Sequence, residues 1–187
     1  MFTDSELIKG CQEGKKDVQQ QLYQRFAGTM FGVCLRYFDS REEAEDALQE
    51  GFIRVFLNIR SFRGEGSLEG WVRRIIINTA LNQIRNHQKY QHHADLEEIG
   101  NIASEEADMI STINHEDMLH LLHQLPPGYR MVFNLYEIEG YSHKEIADKL
   151  DISVSTSKTQ LLKARKVLQR KLTELNEEYS SYDNYEE

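Results

Sequence analysis

The sequence predicts an all-α fold, and three observations lead there. Apolar residues recur in steps of three and four along most of the chain, the period of an amphipathic helix. Thr3/Glu6, Ser40/Glu43 and Ser142/Glu145 each place a hydroxyl three residues before a carboxylate, the spacing that satisfies free amides at a helix start. The one strand-like run, Ile75-Ile76-Ile77, lies inside a segment whose length and spacing favour a helix.

In order, Thr3 and Glu6 open a short helix with Leu7, Ile8 and Cys11 on its apolar side. A longer helix follows, on which Leu22, Phe26, Met30, Val33 and Tyr37 form the core stripe. Ser40 caps a third, whose buried stripe is Ala44, Ala47, Leu48, Phe52, Val55, Phe56 and Ile59. Gly51 costs that helix about 1 kcal/mol relative to alanine. Its opposite side mixes Asp46, Gln49, Glu50 and Arg54 with the aliphatics Ile53 and Leu57, a combination that suggests a protein-docking surface.

Phe62 to Ser67, with two glycines, is a loop, and Ser67 can cap the next helix, Leu68 to about His87. Leu68, Val72, Ile75, Leu81 and Ile84 are its expected apolar positions. Arg74, Asn78, Asn82 and Arg85 step by four, four and three, which aligns two amides and two guanidiniums on one side. Such groups pair with base edges and phosphates, and Phe62 and Trp71 offer stacking surfaces for unpaired bases. A buried Trp71 beside solvated amides is the plainer reading of the same residues.

Residues 94–115 contain six acids and no Lys or Arg, and read as a linker in which a helix resumes near Ser104. Ile110, Ile113, Leu119, Leu122 and Leu125 carry an apolar pattern up to Pro126-Pro127, where that helix stops. Gly128 to Glu139 is the next helix, with Met131, Val132, Leu135 and Tyr136 buried. Ser142 caps a short helix edged by Ile146, Ala147 and Leu150; Asp151-Ile152-Ser153 turns the chain, and Ser153 caps a last helix. That is a helix-turn-helix. On its second helix Val154, Leu161, Ala164, Leu168 and Leu172 pack, while Ser155, Thr156, Thr159, Lys163, Lys166 and Arg170 face away. Leu162, near the polar face, is placed to touch a thymine methyl. Residues 176–187 form an acidic, tyrosine-bearing tail expected to be disordered.

The formal net charge is -9, but it is unevenly distributed. Residues 71–93 carry +4 and residues 152–173 carry +6, each without an acid, which leaves -19 for the rest. Two cationic islands in an acidic body imply contact with DNA at two places and repulsion elsewhere. Length allows one domain or two small ones, and no apolar run approaches the roughly eighteen residues of a membrane span. The start, Met1-Phe2-Thr3-Asp4, lacks a signal-peptide layout, so a cytoplasmic location is expected. Cys11 and Cys34 occupy helical apolar positions as buried thiols. The histidines His87, His92 and His93 form no zinc spacing and read as surface residues; neither a metal nor a cofactor is expected.

With both islands in view, the sequence resembles the extracytoplasmic-function (ECF) sigma factors of the sigma-70 family over nearly its whole length. Glu43 to Phe52 is similar to the family's region 2.2; Phe62-Arg63-Gly64, Trp71 and Asn78-Thr79-Ala80 are similar to regions 2.3 and 2.4. Leu125-Pro126-Pro127, Tyr141 to Leu150, and Thr156-Ser157-Lys158 to Ala164-Arg165 resemble region 4. Ser155 and Gln160 depart from the glycine and arginine common in the family.

The resemblance implies an all-helical protein with a sigma-2 domain (1–93), an acidic linker (94–115), a sigma-4 domain (116–175) and a tail (176–187), which guides RNA polymerase to promoters and has no active site of its own. By the same resemblance, Asp46, Gln49, Glu50 and Ile53 would meet the beta-prime clamp helices. Phe62, Arg63, Ser67, Arg74, Asn78 and Asn82 would take the melted minus-10 strand. Thr156, Lys158, Thr159, Leu162, Lys163 and Lys166 would enter the minus-35 major groove. The apolar side of sigma-4 would sit on the beta flap, and an anti-sigma factor is expected. The residues alone also admit a stand-alone helix-turn-helix regulator binding a two-fold symmetric operator without polymerase. No carboxylate pair, metal spacing or nucleophile motif supports an enzyme.

Overall fold

A computed structural model of the chain describes residues 2–91 and 115–183. They form eight α-helices: α1 (Asp4–Gln12), α2 (Lys16–Leu35), α3 (Arg41–Asn58), α4 (Leu68–Gln91), α5 (His115–His123), α6 (Pro127–Phe133), α7 (His143–Leu150) and α8 (Val154–Asp183). A 3-10 turn, Ile59–Ser61, follows α3, and a π-helical turn, Asn134–Ile138, follows α6. The described residues contain no strand. The chain divides into two compact units, Met1–Asp95 and Leu96–Glu187.

In the first unit, α2 packs on α1, α3 and α4, and α3 on α4. Thr3 and Glu6 form the expected reciprocal cap, with Thr3 N–H donating to the Glu6 carboxylate at 2.8 Å. Ser40 Oγ accepts from the Glu43 amide at 3.1 Å. Leu7, Leu22, Phe26, Met30, Val33, Tyr37, Val55 and Ile59 are buried as their spacing predicts, and so are Cys11 and Cys34. Burial of such side chains contributes roughly 1.5–3 kcal/mol each. Phe56, expected in the stripe, is half-buried, its ring tilted against that of Phe52 with centroids 6.2 Å apart.

Two features of this unit depart from the pattern. On α4 the core positions are Leu68, Val72, Ile76, Ile77, Ala80 and Leu81, while Ile75 and Ile84 are half-buried. Steps of four dominate because α4 is covered by both α2 and α3, which widens and rotates the buried face. Gly51 is the second. A Cβ there would collide with the Cδ1 of Ile76, so the glycine that weakens α3 as a helix lets α4 approach it closely.

In the second unit, Leu121, Leu122 and Leu125 of α5 and its C-terminal end pack with Ala164 and Leu168 of α8. Val132, Leu135, Ile146, Ala147 and Leu161 are buried as well. Pro127 opens α6 at a position where its missing N–H costs nothing. The helix expected from Gly128 to Glu139 is interrupted by the π-helical turn. The wider turn shifts the buried face, so Arg130, Asn134 and Leu135 are buried while Met131 and Tyr136 are half-buried.

Helix α8 continues to Asp183, where the sequence suggests a disordered tail from residue 176. Extending an existing helix adds one bond per residue fixed and avoids the nucleation cost. Residues 184–187, most of the acidic linker, His92, His93, Ile110 and Ile113 lie outside the described residues. No helix among the described residues is long and apolar enough to cross a membrane.

Candidate nucleic-acid interface

The helix-turn-helix is built by three local devices. Ser142 and Glu145 cap α7 reciprocally, with the Ser142 amide donating to Glu145 at 2.9 Å and the Glu145 amide to Ser142 Oγ at 3.3 Å. Asp151 ends α7 in the left-handed conformation at φ 56°, ψ 47°, a position that usually takes glycine or asparagine. Ser153 then caps α8, its Oγ accepting from the Thr156 amide at 2.9 Å.

The turn fixes how α8 is presented. Leu161, Ala164 and Leu168 face the core, as expected. Val154, expected beside them, is 41 % exposed, and Ser157 is buried instead. The angular position of Val154 is right, but it lies about two turns, roughly 10 Å, before Leu161, at the first helical residue. Ser157 faces α7, where its Oγ lies 2.9 Å from His143 Nδ1. The His143 ring stacks on Tyr136 with centroids 4.5 Å apart.

The candidate base-reading residues are not equivalent in what they offer. Lys158, Leu162 and Lys163 are exposed, Leu162 to 50 %. Thr159 is exposed too, but its hydroxyl donates back to the Ser155 carbonyl at 2.9 Å, which leaves its oxygen as an acceptor and its methyl free. The Thr156 hydroxyl is held 2.7 Å from Ser153 Oγ in the cap. Lys166 is half-buried. Arg165, part of the cationic island, pairs across to Glu137 with Nε 2.7 Å from Oε1. Arg170 and Lys171 lie 3.7 and 3.3 Å from Glu174. The exposed lysines Lys158 and Lys163 therefore lie in the N-terminal half of the helix.

In the first unit, the loop before α4 turns at Gly64 and Gly66, whose φ values of 76° and 85° other residues rarely adopt. Arg63 is exposed in that loop, and Phe62 packs against Trp71 with centroids 5.3 Å apart, each ring half-buried. Ser67 Oγ accepts from the Gly70 amide at 3.0 Å, so its hydroxyl serves α4 as a cap. Along α4, Arg74 is exposed, and Asn78 and Asn82 are half-buried, with Asn82 Oδ1 accepting from Arg85 at 3.3 Å. The loop and the polar side of α4 thus form one continuous surface of amides, guanidiniums and a part-open aromatic pair.

On α3, Asp46, Gln49, Ile53 and Leu57 are exposed, the two aliphatics to 59 % and 75 %. Glu50 differs from them. Its carboxylate accepts from Arg54 at 3.1 Å (Nε) and from Gln83 of α4 at 2.6 Å, a bond that sequence reasoning missed because the partners are 33 residues apart.

Comparison with known families agrees with this geometry. The model for Sigma-70 region 2 matches residues 22–90, and that for Sigma-70, region 4 matches residues 115–179. The chain belongs to the sigma-70 family of RNA polymerase sigma factors, ECF type. It is 29 % identical over 185 residues to the ECF RNA polymerase sigma-E factor of Haemophilus influenzae, covering 93 % of this chain and 97 % of that one. It is 26 % identical over 183 residues to the RNA polymerase sigma-H factor of Pseudomonas aeruginosa, covering 92 % and 95 %. Its fold is similar to that of the sigma factor RpoE from Bartonella quintana, solved with the anti-sigma factor NepR. There the TM-score is 0.54 at 21 % identity, over 82 % of this chain and 96 % of that one. The region 2 match contains α3 and α4, and the region 4 match contains the helix-turn-helix.

Proposed function

We propose that the chain selects promoters for core RNA polymerase by contacting DNA at two places. In this reading residues 1–93 carry polymerase docking and minus-10 recognition, 94–115 connect, and 116–175 carry minus-35 recognition. Asp46, Gln49, Ile53 and Leu57 meet the beta-prime clamp helices. Phe62, Arg63, Arg74, Asn78 and Asn82 hold the melted minus-10 strand, with Ser67 fixing the start of α4. Lys158, Thr159, Leu162 and Lys163 enter the minus-35 major groove, while Thr156 and Lys166 border it, and the apolar side of the second unit rests on the beta flap.

The observation that carries this reading is the exposed N-terminal half of α8, cationic and fixed by a capped helix and a left-handed turn. A helix so presented fits the major groove, and the exposed Lys158 and Lys163 supply phosphate or guanine contacts but little affinity alone. Specific binding therefore needs the second contact. Promoters and polymerase place the protein's work in the cytoplasm. The anti-sigma complex of its structural relative supports a similar partner here.

Run-off transcription with purified core polymerase on genomic fragments tests the proposal. New start sites that appear only when the chain is added are expected. Polymerase-independent binding to a symmetric operator, with no redirected initiation, would replace it with a stand-alone regulator.

A further inference from the structure

Glu50 stands at the edge of the candidate docking face, but both of its oxygens are already engaged. Oε1 accepts from Arg54 on the next turn of α3, and Oε2 accepts from Gln83 of α4 at 2.6 Å. The two bonds, Gln83's first, hold its carboxyl below the usual carboxylate range, so it is ionised at neutral pH. A half-buried carboxylate held from two sides is less available to a partner protein than the exposed Asp46 and Gln49 beside it.

The place where its bond reaches α4 matters more. Gly51, the neighbour of Glu50, admits Ile76 at the closest approach of α3 and α4. Ile76 and Gln83 are seven residues, about two turns or roughly 10 Å, apart on α4. The buried face of α4 packs on α2 and α3 around that approach, and the Glu50–Gln83 bond adds a charge-assisted polar contact between α3 and α4 beyond it. Asn78 and Asn82 lie between the two points.

We propose that Glu50 and Gln83 are positioning residues that couple the polymerase-docking helix to the strand-reading helix, with Glu50 acting through Gln83 rather than as a polymerase contact. This rests on the function proposed above. Movement of α3 on docking is transmitted to Asn78 and Asn82 through the packed crossing and the Glu50–Gln83 bond, so loss of that bond uncouples promoter opening from polymerase binding.

The test uses full-length protein with core polymerase and compares wild type, Gln83→Leu, Glu50→Ala, the double variant and the exchanged pair E50Q/Q83E. Two quantities are read: polymerase affinity, and the rate of open-complex formation by permanganate reactivity of unpaired thymines. Gln83→Leu should slow opening by about tenfold, the scale of one hydrogen bond to a charged group. Its polymerase affinity should stay within about twofold of wild type. Glu50→Ala should match Gln83→Leu in both readings, the double variant should be no slower than either single one, and the exchanged pair should recover opening because its amide and carboxylate can still bond.

Glu50→Ala weakening polymerase affinity while Gln83→Leu leaves it intact would overturn the proposal and return Glu50 to the docking surface. Additive effects, or an exchanged pair as slow as the single variants, would also overturn it. If wild type itself neither binds polymerase nor opens a promoter, the functional reading fails first and this inference fails with it, an outcome distinct from the other three.

Discussion

His143 Nδ1 lies 2.9 Å from Ser157 Oγ, joining the first helix of the helix-turn-helix to the buried side of the second. The bond sits beside the stacked Tyr136 ring, and the charges of Lys158 and Arg165, the latter held by Glu137, both act on His143. Displacement of His143 would therefore change the angle at which Lys158, Leu162 and Lys163 are presented on the exposed side of α8.

The His143 imidazole is held below its ordinary pKa, by desolvation first and then by Lys158 and Arg165. The sign follows from linkage. Well above about pH 6.5 the ring is neutral folded and unfolded; as pH falls through that value, the unfolded chain takes the proton first, and stability is lost until the folded ring also titrates. An NMR titration of the His143 Cε1 proton should give a midpoint below that of an unstructured histidine. A midpoint at or above it would contradict the assigned environment.

Gly51→Ala should destabilise the first unit by about 1–3 kcal/mol, the usual cost of overpacking, although alanine is the better helix former by about 1 kcal/mol. The chain's single tryptophan, Trp71, lies in that unit and reports urea unfolding by fluorescence. A raised midpoint would mean that Ile76 moves aside at no cost.

Cys34 is fully buried, and burial pushes its thiol up to about 12, against a smaller lowering by Arg36. It should resist Ellman's reagent at about pH 8 in the native protein and react once urea unfolds the chain. Rapid native labelling at Cys34 would place it outside the core.

Lys163→Ala should cost roughly 1–3 kcal/mol at one minus-35 position if the lysine reads a base, or weaken all promoters alike if it meets only phosphate. Arg165→Ala, already paired with Glu137, should cost DNA binding less. Transcription from variant promoters over a range of salt concentrations separates these outcomes, and an unchanged Lys163→Ala protein would remove that residue from the interface.

Local signals were readable from sequence because they act within a turn or two. The caps at Thr3, Ser40, Ser142 and Ser153, the glycine loop before α4 and the stripe on α2 all form as their spacing predicts. The misses have a common physical origin in contacts between elements. Gly51 reads as a weak point until Ile76 is seen against it, and Glu50 reads as a free carboxylate until Gln83 reaches it. Ser157 looks like any polar residue on a helix, yet it replaces Val154 at the packed face because α7 brings His143 there. The π-helical turn after α6, which brings Tyr136 to His143, has no sequence signature in the apolar spacing.

The central claim is that two DNA-reading surfaces, each weak alone, become specific when polymerase holds both on one promoter. A band-shift titration of a cognate promoter, run with and without core polymerase at about 150 mM salt, tests it most directly. The account predicts weak, salt-sensitive and sequence-indifferent binding by the isolated chain, and tight, promoter-specific binding only when polymerase is present. Tight and specific binding by the chain alone, unchanged on adding polymerase, would contradict it.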